Sequence, residues 1–330
     1  MSNFNFKDAS LLSVLQTQVT QINVLVMETP LTDINYPTLV PVNTAYAEWT
    51  PNISAMKLGE GVGQAKWITG AAKDVPLVDL EGTTEQVEFA VMGRGYEVNY
   101  EELGLAANAG FDIGARKANI ARRKGEEFIQ DVALTGGTGK GWTGLINKTG
   151  QTILPASTKA AGGTQWVNND GTLNATAQEI AQDMINGIMG PVTAGNTVRP
   201  IIADTVALPS LAYRAMASTF TDALNGSISV LQWVQRAVGS VPGGAGFTIV
   251  EIPELSSAAT TVIAGGGRAI FYRRSLDILE MPVSFAFRFL NQYQDAPFGY
   301  MVPGWARFGA VHVWEPRGFR YMDGVQQVPA

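Results

Sequence analysis

The chain has 330 residues, 46% hydrophobic and only 16% charged, with a formal net charge of -6, one histidine and no cysteine. A compact chain of this length buries about three quarters of its unfolded surface. A charged share well under the usual ~25% implies an exterior largely covered by partners, while the acidic balance argues against general phosphate affinity, and the lack of cysteine excludes thiolate nucleophiles, cysteine-ligated zinc, iron-sulfur clusters and disulfides.

In chain order, residues 1–42 read as an arm. Leu11, Leu12, Leu15, Val19 and Ile22 have helical spacing, and Pro30, Pro37 and Pro41 then keep the chain extended. The first residues lack the basic and apolar regions of a signal peptide, and no stretch reaches ~18 apolar residues, so folding in a cytoplasm is expected. Residues 43–85 are polar and punctuated by Gly59, Gly61, Gly63 and Gly70 around Lys57, Lys66 and Lys73. This predicts a long two-stranded excursion, out along 44–53 and back along 64–78. A lone hairpin is marginal in water, so Trp49 and Trp67 suggest that it docks on a neighbour.

Alternation at Val87, Phe89 and Val91, then at Tyr96, Val98 and Tyr100, predicts two half-buried strands. They lead into one long helix over 101–135, a strut of some 40 Å at about 1.5 Å per residue. Phe111, Ala115, Ala118, Phe128 or Ile129, and Val132 would form its buried stripe. Opposite lie Arg116, Lys117, Arg122, Arg123, Lys124, Glu126 and Glu127, which fit either a solvated face or contact with a neighbouring subunit. A glycine turn ends the helix, and 151–173 read as a linker rich in Gly, Thr, Asn and Ala. An α/β segment follows. Thr176 with Glu179 opens a helix as a capping box, with Ile180, Met184, Ile185 and Ile188 as its stripe. A strand over 198–208, helices over 209–217 and 229–238, and a buried strand over 247–252 come next. Further strands are expected at 269–273, 283–290 and 307–314, the last two returning to the sheet of 86–100.

Little here can build an active site. His312 alternates with apolar residues, as in a strand histidine with a structural hydrogen bond. Gly136 to Lys140 imitates a phosphate loop, but Leu134 stands where the first glycine belongs, Gly141 follows the lysine, and a helix precedes it. Gly93-Arg-Gly-Tyr96 is only half of a dinucleotide fingerprint. No carboxylate spacing marks an acid and base pair or a metal loop, so no catalytic, cofactor or metal residue is assigned.

Gly95 to Leu103, Ala118 to Gly136, Gly144 to Asn147, Leu208 to Tyr213, Glu251 to Leu255 and Gly309 to Pro316 occur in an order that resembles tailed-phage major capsid proteins of the Hong Kong 97 fold, in the branch similar to encapsulin-type shell proteins. The resemblance implies an α+β fold with an N-terminal arm (1–42), an extended β-hairpin loop (43–85), a peripheral domain with a long spine helix (86–173), an α/β axial domain (174–282) and a return to the peripheral domain (283–330). It implies a non-enzymatic shell protein that forms hexamers and pentamers of itself around double-stranded DNA. Its setting would be the virion capsid, assembled in the host cytoplasm without a membrane, with separate scaffolding, portal and decoration proteins as possible partners. An encapsulin-like compartment around a cargo enzyme is the alternative; a carboxylate-dependent hydrolase has no motif behind it. Trp49, Lys57, Lys66, Trp67, Arg116, Lys117, Arg122, Arg123, Glu126 and Glu127 are the expected assembly contacts. No motif aligns Lys57 or Lys66 with Asn147 for subunit crosslinking, and none is expected.

Overall fold

The computed structural model describes residues 34–58, 82–109, 113–190, 201–220, 228–239, 247–262 and 264–327, with the backbone alone at 55–58, 82–83 and 105–109. The expected helix of the arm, the returning strand over 64–78, and Lys66 and Trp67 lie outside the described residues, as does the side chain of Lys57. Chain contacts define two compact units, one of residues 92–127 and 287–306, the other of 36–91, 128–286 and 307 onward.

One helical turn, α1 (Tyr36–Leu39), leads to β1 (Val42–Asn43), β2 (Asn52–Leu58) and β3 (Gly82–Gly93). β2 and β3 are antiparallel, in register from Asn52 opposite Glu88 to Leu58 opposite Gly82. The outgoing strand of the hairpin therefore starts at Asn52 and its return reaches back to Gly82. On β3, Val87 is buried and Val91 exposed, so the expected alternation fades along the strand.

β4 (Tyr96–Asn99) runs into α2 (Tyr100–Ala109), and α3 (Ile113–Thr135) follows. The strut expected as one helix is thus described as two, the longer having 23 residues, about 34 Å. Ala121, Gly125, Ile129 and Val132 form the buried stripe of α3, at steps of four, four and three, and its last turn is buried further by Ala133 and Leu134. Phe128 faces out and Ile129 in, which settles the ambiguity in the stripe. In the first unit a Cβ at Gly125 would stand 3.0 Å from the Phe287 ring, so glycine lets the helix backbone approach that aromatic. Phe287 meets Phe289 edge-on at 5.2 Å, and Phe289 meets Tyr96 at 5.5 Å.

The glycine run after α3 is a helix stop. Gly136 is left-handed at φ +85°, and the amides of Leu145 and Ile146 return to the carbonyls of Ala133 and Leu134 at 2.9 Å each. Lys140 is exposed there.

In the second unit β5 (Thr152–Pro155), α4 (Ala177–Met189), β6 (Thr205–Leu208), α5 (Ser210–Ser218), α6 (Val230–Gly239), β7 (Thr248–Glu251) and β8 (Gly267–Tyr272) are followed by β9 (Leu279–Phe289). β10 (Tyr293–Ala296), β11 (Gly299–Val302), β12 (Gly304–Gly309), β13 (His312–Val313) and β14 (Phe319–Gln326) complete the chain. A five-stranded sheet has the order β5-β14-β8-β6-β7. β14 is parallel to β5 and antiparallel to β8. Its eight residues are all buried, as a central strand covered on both faces requires. Among the described residues β7 is the edge strand of this sheet, with its ends exposed and its middle half-buried, and it is not the buried strand expected. A second sheet has the order β1-β9-β12-β3-β2, with β13 also on β9.

α4 shows the expected capping box. Glu179 N donates to Thr176 Oγ1 at 3.3 Å, and Thr176 N donates to Glu179 Oε2 at 2.7 Å. Ile180, Met184 and Ile188 are fully buried, while Ile185 is half-buried. Gly187 faces the Phe271 ring so closely that a Cβ would collide with it.

Residues 151–173 are not a linker. Trp166 is 0% exposed, and its Nε1 donates to Asp183 Oδ2 at 2.8 Å. Lys159, also buried, pairs with the same carboxylate, which further accepts Ser157 Oγ at 2.5 Å. A polar composition misleads here because Trp166 and Lys159 fasten the segment on α4 while β5 and the Trp166 amide pair with β14.

Candidate assembly surfaces

Polar side chains of β8, β9 and β12, with Arg274 just after β8, fasten residues 37–50 of the second unit. Tyr272 Oη donates to Leu39 O at 2.9 Å, and Arg274 Nη2 to Pro37 O at 2.8 Å. The buried Glu280 carboxylate accepts Asn43 Nδ2 and Tyr46 Oη, each at 2.7 Å. Burial and Glu280 push the Tyr46 phenol up to about 12, so it remains a donor. Arg307 donates to the carbonyls of Glu48 and Thr50, at 2.7 Å each. Trp49 rides on this frame, 6.0 Å from the Phe285 ring and 5.8 Å from the Arg307 guanidinium. It is nevertheless 63% exposed, a held aromatic with an open face.

The charged side of α3 divides into two kinds of position. Lys117 is committed within the first unit, to Glu102 Oε2 at 2.5 Å and to Glu97 O at 2.8 Å. Glu127 takes Lys124 at 2.6 Å and Arg123 at 3.4 Å, and the Lys124 bond holds its carboxyl below the usual range. Glu126 is half-buried, and Arg122 is exposed. Arg116, Ile120, Lys124 and Phe128 are all exposed and follow one another at steps of four, the spacing of a single ridge. Ile120 is 61% exposed and Phe128 49%. Their exposure was legible only as a break in the apolar stripe.

Sequence reasoning missed a second surface, in the first unit. β10, β11 and β4 form a three-stranded sheet with β10 at its edge, all four of its residues exposed. The Tyr100 amide donates to Phe298 O at 2.9 Å and fixes the tip of the β10–β11 hairpin. The Tyr100 and Tyr300 rings lie tilted against each other at 5.7 Å beside it. Phe298 is 75% exposed, next to a shallow hollow lined by Tyr100, Glu101 and Pro297. Glu97, Glu101 and Asp295 rim the patch and are exposed. Pro297-Phe298-Gly299 between two short strands was the available signal.

His312 lies in β13, with Nε2 2.8 Å from Glu85 Oε2 on β3 and its ring 4.2 Å from Trp314. Burial lowers its pKa, Lys148 adds to that, and the Glu85 bond opposes it. This is the strand histidine expected. Among the described residues no three His, Asp or Glu side chains gather as a metal site, and no helix is long and apolar enough to cross a membrane.

The antiparallel β2–β3 pair, the 23-residue helix α3 and an α/β unit with a five-stranded sheet are elements of the Hong Kong 97-like fold of phage capsid subunits. The family model described as major capsid protein matches residues 63–325, so the chain belongs to that family. Among solved structures it is similar to the capsid of Myoviridae phage XM1, with 16% identity and a TM-score of 0.71 over 91% of this chain and 95% of that one. The capsid of an empty GTA particle matches with 11% identity and a TM-score of 0.58, over 93% of this chain and 94% of that one. A Mycobacterium phage Bobi chain matches with 12% identity and a TM-score of 0.54, over 91% and 94%. No curated protein sequence matches the chain. Family and fold together imply a structural, non-enzymatic role in a virion capsid.

Proposed function

We propose that this chain assembles with copies of itself into hexamers and pentamers of a closed icosahedral shell around double-stranded DNA, built in the host cytoplasm. The observation that carries the reading is the family match over residues 63–325. It is supported by apolar side chains left open on structural elements: Trp49, Ile120, Phe128 and Phe298. Under this reading residues 43–85 are the extended loop, the strands and helix of 86–173 with 283–330 the peripheral domain, and 174–282 the axial domain. Trp49, Lys57, Lys66, Trp67 and the charged side of α3 are its contact residues. Each contact can be weak, because every subunit meets several neighbours and closure adds them together. The acidic balance of -6 keeps packaged DNA from adhering tightly to the wall. Scaffolding, portal and decoration proteins would be separate chains. Electron microscopy of the purified protein under assembly conditions tests the proposal: closed shells are expected, and compact monomers under every condition would overturn it.

A further inference from the structure

The one histidine of the chain holds β3 at the point where the β2–β3 pair runs past its neighbouring strand. β12 flanks β3 as far as Gly309, where an added Cβ would lie 2.9 Å from Glu88 O. Further along, the backbone of His312 has turned to pair with Glu280 of β9, and its side chain reaches across to β3, with Nε2 2.8 Å from Glu85 Oε2. Glu85 is half-buried, whereas Thr84 and Gln86 beside it and Ser54 on β2 are exposed. Among the described residues this bond is therefore the outermost side-chain hold on β3.

Glu85 faces the ring from β3, Glu280 from β9 and Lys148 from the segment after α3. Glu280 is already engaged by Asn43 and Tyr46. Lys148 Nζ donates to Val311 O at 2.9 Å, so its ammonium is fixed beside the residue that precedes the ring. Trp314 covers a further side, its ring edge-on at 4.2 Å. A carboxylate only accepts, so Nε2 carries the proton of the Glu85 bond and an arriving proton goes to Nδ1. The resulting imidazolium would be enclosed beside a second cation. Burial, with that ammonium, outweighs the pull of Glu85 and Glu280 and holds the ring's pKa below its ordinary value. A ring swung out into water escapes both penalties, so protons favour an open arrangement.

We infer that the His312–Glu85 bond is a pH-dependent latch at the root of the β2–β3 hairpin: the neutral ring holds β3, and the protonated ring releases it. The latch is a property of the single chain, so it stands or falls independently of shell assembly. In an assembled shell it would let each subunit free the root of its hairpin on acidification while the five-stranded sheet stays closed.

Hydrogen exchange of the purified subunit at pH 7 and pH 5, corrected for the chemical exchange rate, tests the latch. The β3 amides around Val87 are expected to be less protected than those of β14, the mark of a local opening. Their protection should fall several-fold at pH 5 in the wild type and stay level in His312→Gln, whose amide keeps a donor for Glu85 but takes up no proton. Protection of β3 that equals that of β14, that is the same at both pH values, or that falls equally in His312→Gln would overturn the latch. A second arm does not depend on that variant folding. With one histidine, a chain labelled at histidine Cε1 gives a single NMR resonance. Its titration midpoint is expected to lie below the midpoint in urea and to rise in Lys148→Met. A midpoint at or above the unfolded value, or one that Lys148→Met leaves in place, would overturn the latch as well.

Discussion

The α/β unit and the hairpin unit handle their demanding groups in opposite ways. In the α/β unit buried charges are satisfied from within. Asp323 accepts Arg268 Nε at 2.6 Å and Nη2 at 2.9 Å, and the amides of Thr260 and Thr261 at 3.0 and 2.9 Å. Burial pushes that carboxyl up, but Arg268 and Thr261 more than offset it and hold it below the usual range. Asp183 gathers Lys159, Ser157 and Trp166 in the same way. In the hairpin unit apolar groups are held rigidly and left open. Buried charges satisfied from within, beside apolar side chains held open at Trp49 of the α/β unit as well as at Phe298 of the hairpin unit, suit a subunit whose open surfaces meet neighbours.

Perturbing each region tests that contrast. The largest effect is expected from Arg268→Met, which strands Asp323 without its cation and should cost about 3–5 kcal/mol in urea unfolding. Trp166→Phe removes the donor to Asp183 and shrinks a fully buried ring, for a loss of about 2–4 kcal/mol by the same measurement. Thr176→Ala removes the α4 cap and should cost about 1 kcal/mol.

A smaller effect concerns pH. His312 has a folded pKa below its unfolded value, so as pH falls below about 6.5 the unfolded chain takes up more protons and stability declines. Unfolding at pH 7 and pH 5 should show this loss, removed in His312→Gln. Smallest for the isolated subunit is Phe298→Ser, within about 0.5 kcal/mol, although shell yield should fall. If Phe298→Ser unfolds the free subunit as readily as Trp166→Phe, the contrast between the regions is wrong.

Where local chemistry decides the structure, the sequence was readable. Thr176 and Glu179 announced α4, Gly136 announced the end of α3, and the residues around His312 announced a strand. The reading failed where distant residues decide. Trp166 sits in a polar segment whose order comes from Asp183, 17 positions on. β7 has the composition of a central strand, and only the sheet order makes it an edge. Of the expected contacts, Trp49 and Arg122 are open to solvent while Lys117 is engaged by Glu102. The Phe298 hairpin escaped notice because its carboxylates and aromatics converge only when β4 and β11 pair.

The placement of β14 between β5 and β8 carries one more implication. Arg320 on β14 stands opposite Thr152 on β5, so the earlier strand waits more than a hundred residues for its neighbour, a slow, non-local closure. A polypeptide that stops short of Phe319 would leave the inner edges of both β5 and β8 bare and prone to clumping. Residues 319–326 therefore set when the five-stranded sheet can close, and the last stretch of the chain completes the core laid down by the first.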